Sequence, residues 1–190
     1  MKIKNKNIVE EVQKFVEDAC VRNDKGYAKE LILHLSSVAK NAVQLAGKFN
    51  ADKEVVEIAA WFHDIGTIVY RKEDHHITGA EIAEKKLFEL GYPKDKIEKV
   101  KHCIFSHRAS RNIKRETVEA QILTDADSIT HFYKVDDLFE AELVFNNLNK
   151  DGDLAKEKVK QKLIRSWNKL SPEGKNFVEI KYPEVLRGIK

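Results

Sequence analysis

The stretch Ala59-Ala60-Trp61-Phe62-His63-Asp64-Ile65-Gly66-Thr67 constrains this chain more than any other. It ends an almost wholly apolar run, Val55 to Phe62, with a histidine and an aspartate side by side. A carboxylate at the end of a buried helix needs a compensating partner, because an unpaired charge is costly to desolvate. One solution is a buried His–Asp pair closing the helix, with Gly66 as its stop signal. The other is a divalent cation, for which a neutral imidazole and a carboxylate are both good ligands. A lone His-Asp dipeptide favours the structural pair. The decision rests on whether the chain supplies further ligands.

The bulk properties set the frame. A chain of 190 residues with 42% hydrophobic and 34% charged residues reads as one globular domain with a real core. The net charge of +3 is too weak to argue for nucleic acid. Cys20 and Cys103 give no disulfide framework and fit reduced thiols in a cytoplasmic protein. Met1 to Asn7 is charged, with no apolar segment after it to make a secretory signal. No run approaches the roughly 18 apolar residues of a membrane span, so no membrane partner is expected.

Hydrophobic spacing of three and four recurs along most of the chain. It predicts helices from Ile8 to Cys20, Tyr27 to Phe49, Asp52 to Asp64, Glu116 to Tyr133, Leu138 to Leu148 and Leu154 to Leu170. Asp52 is the expected cap of the buried helix. Thr78 with Glu81 reads as a capping box opening a helix that stops at Gly91. Pro93 starts another, reaching His107. Asn149-Lys150-Asp151-Gly152 reads as a break, and Ser171-Pro172-Glu173-Gly174 as a helix start. No segment alternates as a strand would. The expected fold is all-α, a single helical domain over residues 1–190 with roughly eight to ten helices.

Several histidines and aspartates fall on different helices. His34 flanks the seam of its helix, and Asp127 lies beside the stripe of Ile122 and Ile129. His76 precedes a helix start, and His107 ends a helix. With His63 and Asp64 these make four His and two Asp, enough for one or two first-row divalent ions with positions left for water and substrate. Asp125 competes with Asp127. Two residues apart on a helix, they point about 200° apart, and periodicity does not choose between them.

The order His34, His63-Asp64, Asp127 resembles the HD superfamily of metal-dependent phosphohydrolases. Ile58 to Gly66 is similar to that family's apolar helix entering the His-Asp pair, and His76-Ile77-Thr78-Gly79-Ala80 to its His-x-x-Gly-Ala element. Cys103 to Arg108 resembles the segment with its later His, and Leu123 to Ile129 the segment with its last Asp. The likeness spans residues 29–132, with helices 133–190 expected to pack on that core. It implies a first metal site of His34, His63, Asp64 and Asp127, selecting Asp127 over Asp125. It also implies a second site using His76 and His107, bridged by Asp64. His63 and Asp64 become the catalytic residues, and the cofactor is one or two ions of Mn, Fe, Co, Ni or Mg. His131, four residues beyond Asp127, is a candidate outer partner.

A metal ion activates water and polarises a phosphoryl oxygen, so the expected function is hydrolysis of a small phosphorylated substrate, a nucleotide as the first choice. Lys72 and Arg108 are the candidate phosphate-binding residues. Homo-oligomers are compatible with this reading. Thr67 departs from relatives that carry an acidic residue or Lys three positions after the pair. Gly91-Tyr92-Pro93 precedes His107, so it is a helix end and not the signature of the cyclic-dinucleotide enzymes. Two other classes remain as expectations: a di-iron oxygenase with the same ligand set, and a non-catalytic regulatory or nucleic-acid-binding domain. The latter is supported only by Lys156 to Lys162, which reads better as a solvated helix face.

Overall fold

The structure is a computed structural model that describes residues 7–23, 26–70, 74–108, 113–145 and 152–188. Among them the only regular elements are helices, and the fold is of the all-α class expected. No helix among the described residues is long and apolar enough to cross a membrane.

Helix α3 (Lys53–Phe62) is the centre of the packing. Asp52 caps it as expected, accepting from the backbone N–H of Glu54 and Val55 at 3.1 and 3.2 Å. From Val55 to Phe62 every side chain except Glu57 is buried. Each large apolar side chain so enclosed contributes about 1.5–3 kcal/mol relative to exposure. Around α3 lie α1 (Ile8–Arg22), α2 (Ala28–Phe49), α6 (Lys94–Ser106) and α7 (Val118–Tyr133). Helices α2 and α7 also pack on each other, so three helices meet at the C-terminal end of α3.

The expected stop at Gly66 is placed differently. Helix α3 ends at Phe62, His63 is its C-cap, and Asp64 begins the short α4 (Ile65–Val69), which contains Gly66. The glycine serves close approach: a Cβ there would collide with the carbonyl oxygen of His75 and the hydroxyl of Thr78. Gly79 faces the same contact, 3.5 Å from the backbone N of Gly66 to where a Cβ would stand. Helix α5 (His75–Glu89) is thereby seated directly on α4.

The capping box is also corrected. Helix α5 starts at His75, and the Thr78 hydroxyl donates back to the Asp74 carbonyl at 3.2 Å from inside the first turn. Close packing on α4 sets this start, overriding the local Thr-x-x-Glu signal. At the other end Gly91, with φ +73°, stops the helix as expected, and Tyr92 N–H donates to Leu87 O at 3.0 Å.

After α7 the chain enters α8 (Val135–Phe145), α9 (Gly152–Lys169), α10 (Pro172–Val178) and α11 (Lys181–Gly188). Ser171 caps α10 as read from sequence, accepting from Gly174 N–H at 2.9 Å. Of the break read at 149–152, residues 149–151 lie outside the described residues, and Gly152 begins α9. Helix α9 packs on α7 and α8.

Candidate metal centre

Two groups of ligand-type side chains meet where α3 ends. In the first, the nearest ligand atoms of His34 (α2), His63 (end of α3) and Asp127 (α7) all lie within 4.8 Å of one another. In the second, the same holds for Asp64 (start of α4), His75 (start of α5) and His107 (end of α6). Asp64 stands between them. Its Oδ2 is 3.4 Å from His63 Nε2, while its Oδ1 is 4.0 Å from both His75 Nε2 and His107 Nε2.

Backbone carbonyls orient two of the rings. His63 Nδ1 donates to Ala60 O at 2.7 Å, and His107 Nδ1 donates to Ile104 O at 2.5 Å. A carbonyl only accepts, so the proton of each neutral ring sits on Nδ1 and the Nε2 lone pair points into the site. His63 Nε2 is the single buried side-chain N or O atom among the described residues that has no hydrogen-bond partner. It faces Asp64 and also Asp127 Oδ1, at 3.9 Å. Buried polar atoms are otherwise almost always satisfied, so Nε2 calls for a proton or a cation shared with these carboxylates.

The electrostatics point the same way. Burial works to lower the His63 pKa, but Asp64 and Asp127 outweigh it and raise it to about 9. The field that draws a proton to Nε2 also draws a metal cation. Burial and the neighbouring His63 lower His34 to about 4 and His107 to about 3, leaving both rings neutral and able to ligate near pH 7. Burial would raise Asp64, yet His63, His75 and His107 hold it well below the usual carboxylate range. Asp127 is held down likewise by His131, Lys169, His63 and His34 against its own burial. Neutral His34 and His107, ionised Asp64 and Asp127, and a His63 proton that a cation can replace together fit a divalent first-row metal.

Of the residues expected from sequence, His34, His63, Asp64, Asp127 and His107 are brought together. His76 is not: His75 takes the place expected for it beside Asp64 and His107. Consecutive helical residues diverge by about 100°, so the observed start of α5 turns His76 away. Its ring stacks on Phe105 with centroids 5.4 Å apart, and its Nδ1 is 3.3 Å from Arg108 Nη1. Arg108 is thus half-buried at the rim of the second group. Lys72 lies outside the described residues.

The two aspartates of α7 separate cleanly. Asp125 turns to the opposite side, where it accepts from Ser171 N–H and Oγ–H at 2.9 and 2.6 Å and from Gln121 Nε2 at 2.9 Å. It anchors the start of α10. His131 is in contact with Asp127, its Nε2 lying 3.2 Å from Oδ1.

Two residues of α9 escaped sequence reading. Lys169 Nζ is 2.7 Å from Asp127 Oδ2, and Ser166 Oγ is 2.9 Å from His131 Nδ1. Lys162, in the stretch read as a solvated face, is half-buried and close enough to depress the His34 pKa. The available signal was the spacing Lys162, Ser166, Lys169, which puts all three on one side of a helix.

Comparison with known proteins follows the same geometry. The family model described as HD domain matches residues 31–131. A predicted HD superfamily hydrolase from an uncultured Thermotogales bacterium is 22% identical and aligns over 95% of this chain and 88% of that one, with a TM-score of 0.64. Bacillus subtilis YpgQ in complex with ADP is 21% identical over 95% of this chain and 90% of its own, with a TM-score of 0.69. Among curated proteins, the tRNA (cytidine(56)-2'-O)-methyltransferases of Picrophilus torridus and Thermoplasma volcanium are each 30% identical, over 146 and 138 residues. Those matches cover 70% and 67% of this chain but 41% and 38% of the relatives, so the chain spans about two fifths of their length. The HD model covers more than half of the 190 residues and contains every member of both ligand groups, and the chain belongs to the HD domain family.

Proposed function

We propose that this protein is a metal-dependent phosphohydrolase acting on a small phosphorylated substrate, with a nucleotide as the substrate class. The observation that carries the reading is His63 Nε2, buried, without a hydrogen-bond partner and facing two carboxylates. In this reading His34, His63 and Asp127 hold one divalent ion, His75 and His107 hold a second, and Asp64 faces both. A bound ion supplies Lewis acidity toward a phosphoryl oxygen and toward the attacking water.

The chain's own contribution is positional. The Ala60 and Ile104 carbonyls fix the tautomers of His63 and His107, as outer hydrogen bonds do for metal-binding imidazoles. Arg108, half-buried beside His76, is in this reading the guanidinium that pairs with substrate phosphate. Lys72 keeps that role as an expectation from sequence. Thr67, within α4, offers a hydroxyl and no acid, so no proton donor for the leaving group is drawn from that position. The nucleotide class is supported by the ADP complex of a protein sharing the fold.

The test is metal analysis of the purified protein, then phosphate and pyrophosphate release from a nucleotide panel with Mn²⁺, Co²⁺, Ni²⁺ or Mg²⁺. Metal-dependent release from at least one nucleotide is expected, and no release with any of the four ions would contradict the reading. The likeness to part of two tRNA methyltransferases favours one other reading, an RNA-associated module. Salt-dependent RNA binding that persists in an Asp64→Ala variant, without hydrolysis by the wild type, would select it.

A further inference from the structure

We infer that α9, which lies outside the matched HD region, is a working part of the centre: Lys169 is a positioning residue that fixes which oxygen of Asp127 faces the first ligand group. The inference rests on the metal-centre reading above.

The two oxygens of Asp127 are chemically equivalent in a free carboxylate, which can rotate to exchange them. Here they have different surroundings. Oδ2 accepts from Lys169 Nζ at 2.7 Å. Oδ1 is 3.6 Å from His34 Nε2, 3.9 Å from His63 Nε2 and 3.2 Å from His131 Nε2. The Lys169 and Asp127 side chains are only 9% and 7% exposed, so water does not replace either partner. His131 is held in turn by Ser166 of α9 at 2.9 Å. One helix therefore braces both ends of the carboxylate, directly at Oδ2 and through His131 at Oδ1.

Asp127 is accordingly a one-oxygen ligand, presenting Oδ1 to the site shared with His34 and His63. Without the ammonium, Oδ2 would be buried with no donor, and the carboxylate would turn to seek one. That rotation would move Oδ1 off the two histidines. The competing effect has the opposite sign. If Lys169 acted only as a nearby positive charge, removing it would tighten the binding of a cation.

Mn²⁺ binding to the full chain, followed by the electron paramagnetic resonance signal of the free ion, separates the two. Lys169→Met is expected to weaken the first Mn²⁺ by roughly 10–100-fold, as loss of an outer-shell partner does. Lys169→Arg, which keeps charge and donor, recovers most of that affinity. Circular dichroism without metal shows whether each variant is folded. Should Lys169→Met fail to fold, Lys169→Ala, which also removes the donor, carries the same test, with weakened binding expected. Mn²⁺ affinity in the folded variant equal to or tighter than wild type would overturn the inference while leaving the metal centre intact. Absence of Mn²⁺ binding by the wild type would overturn both.

Discussion

The two groups of ligand-type side chains that meet at Asp64 are built from different parts of the helices. His34 and Asp127 sit in the middle of α2 and α7, and His63 closes the central helix α3; their side chains are 16%, 7% and 1% exposed. Asp64, His75 and His107 stand at the start of α4, the start of α5 and the end of α6, with side-chain exposures of 29%, 12% and 5%. The first group is therefore fixed by the packing of long helices. The second exists only where three helix ends are pressed together. That difference predicts a tight first cation and a more exchangeable second one, with substrate reaching the centre from the Asp64 side.

The largest effect tests the junction between the groups. His63→Ala removes a ligand of the first group and the neighbour of Asp64 in one step. It should lower metal affinity and hydrolysis by more than about 100-fold, since removing even an outer-shell partner costs 10–100-fold. Retained Mn²⁺ binding would mean that the two groups are independent of α3.

The next prediction splits adjacent residues. His75→Ala should reduce bound metal toward one ion per chain, because it removes a ligand of the second group only. His76→Ala should leave the stoichiometry unchanged, its ring being turned toward Phe105 and Arg108. Metal counting by mass spectrometry of the dialysed variants decides this, and the reverse pattern would restore the expectation from sequence.

A backbone change should disturb the second group without touching a ligand. Gly66→Ala puts a methyl group against the His75 carbonyl and the Thr78 hydroxyl. Overpacking of this kind costs about 1–3 kcal/mol, read as a lower melting temperature. The same variant should weaken the second Mn²⁺ more than the first. Equal weakening of both would show that the two groups do not differ in how they are held.

The smallest effect is on pH dependence. With His63 raised to about 9, the folded metal-free protein binds more protons than the unfolded chain between pH 6.5 and 9, so its stability falls as pH rises through that range. His34 and His107, lowered to about 4 and 3, act oppositely: the unfolded chain takes up the protons, and stability falls as pH drops below 6.5. Melting curves in a chelator should therefore peak near neutral pH. Bound Mn²⁺ takes the place of the His63 proton and should flatten the alkaline side. An alkaline limb unchanged by Mn²⁺ would place the ion away from His63.

Much of this was legible in sequence because it depends on local signals. Asp52 and Ser171 are caps where cap residues precede apolar runs, and the run from Val55 to Phe62 reads as buried because it is apolar on every side. That His34, His63, Asp64 and Asp127 come together was readable from the order of a motif. What failed depends on contacts between elements. The choice of His75 over His76 turns on where α5 begins, and that is set by the Gly66–His75 contact rather than by Thr78 and Glu81. Gly66 looks like a helix stop in sequence because close approach and chain termination both select glycine. Lys169 and Ser166 lie 42 and 35 residues from their partners, beyond any periodicity. Asp125 and Asp127 are separated only by what α10 and α2 bring to opposite sides of α7.

The most direct test of the centre is anomalous X-ray scattering from crystals grown with Mn²⁺. The account predicts a strong peak among His34 Nε2, His63 Nε2 and Asp127 Oδ1, and a weaker one among Asp64 Oδ1, His75 and His107. A peak coordinated by His76, or no peak beside His63 Nε2, would contradict it.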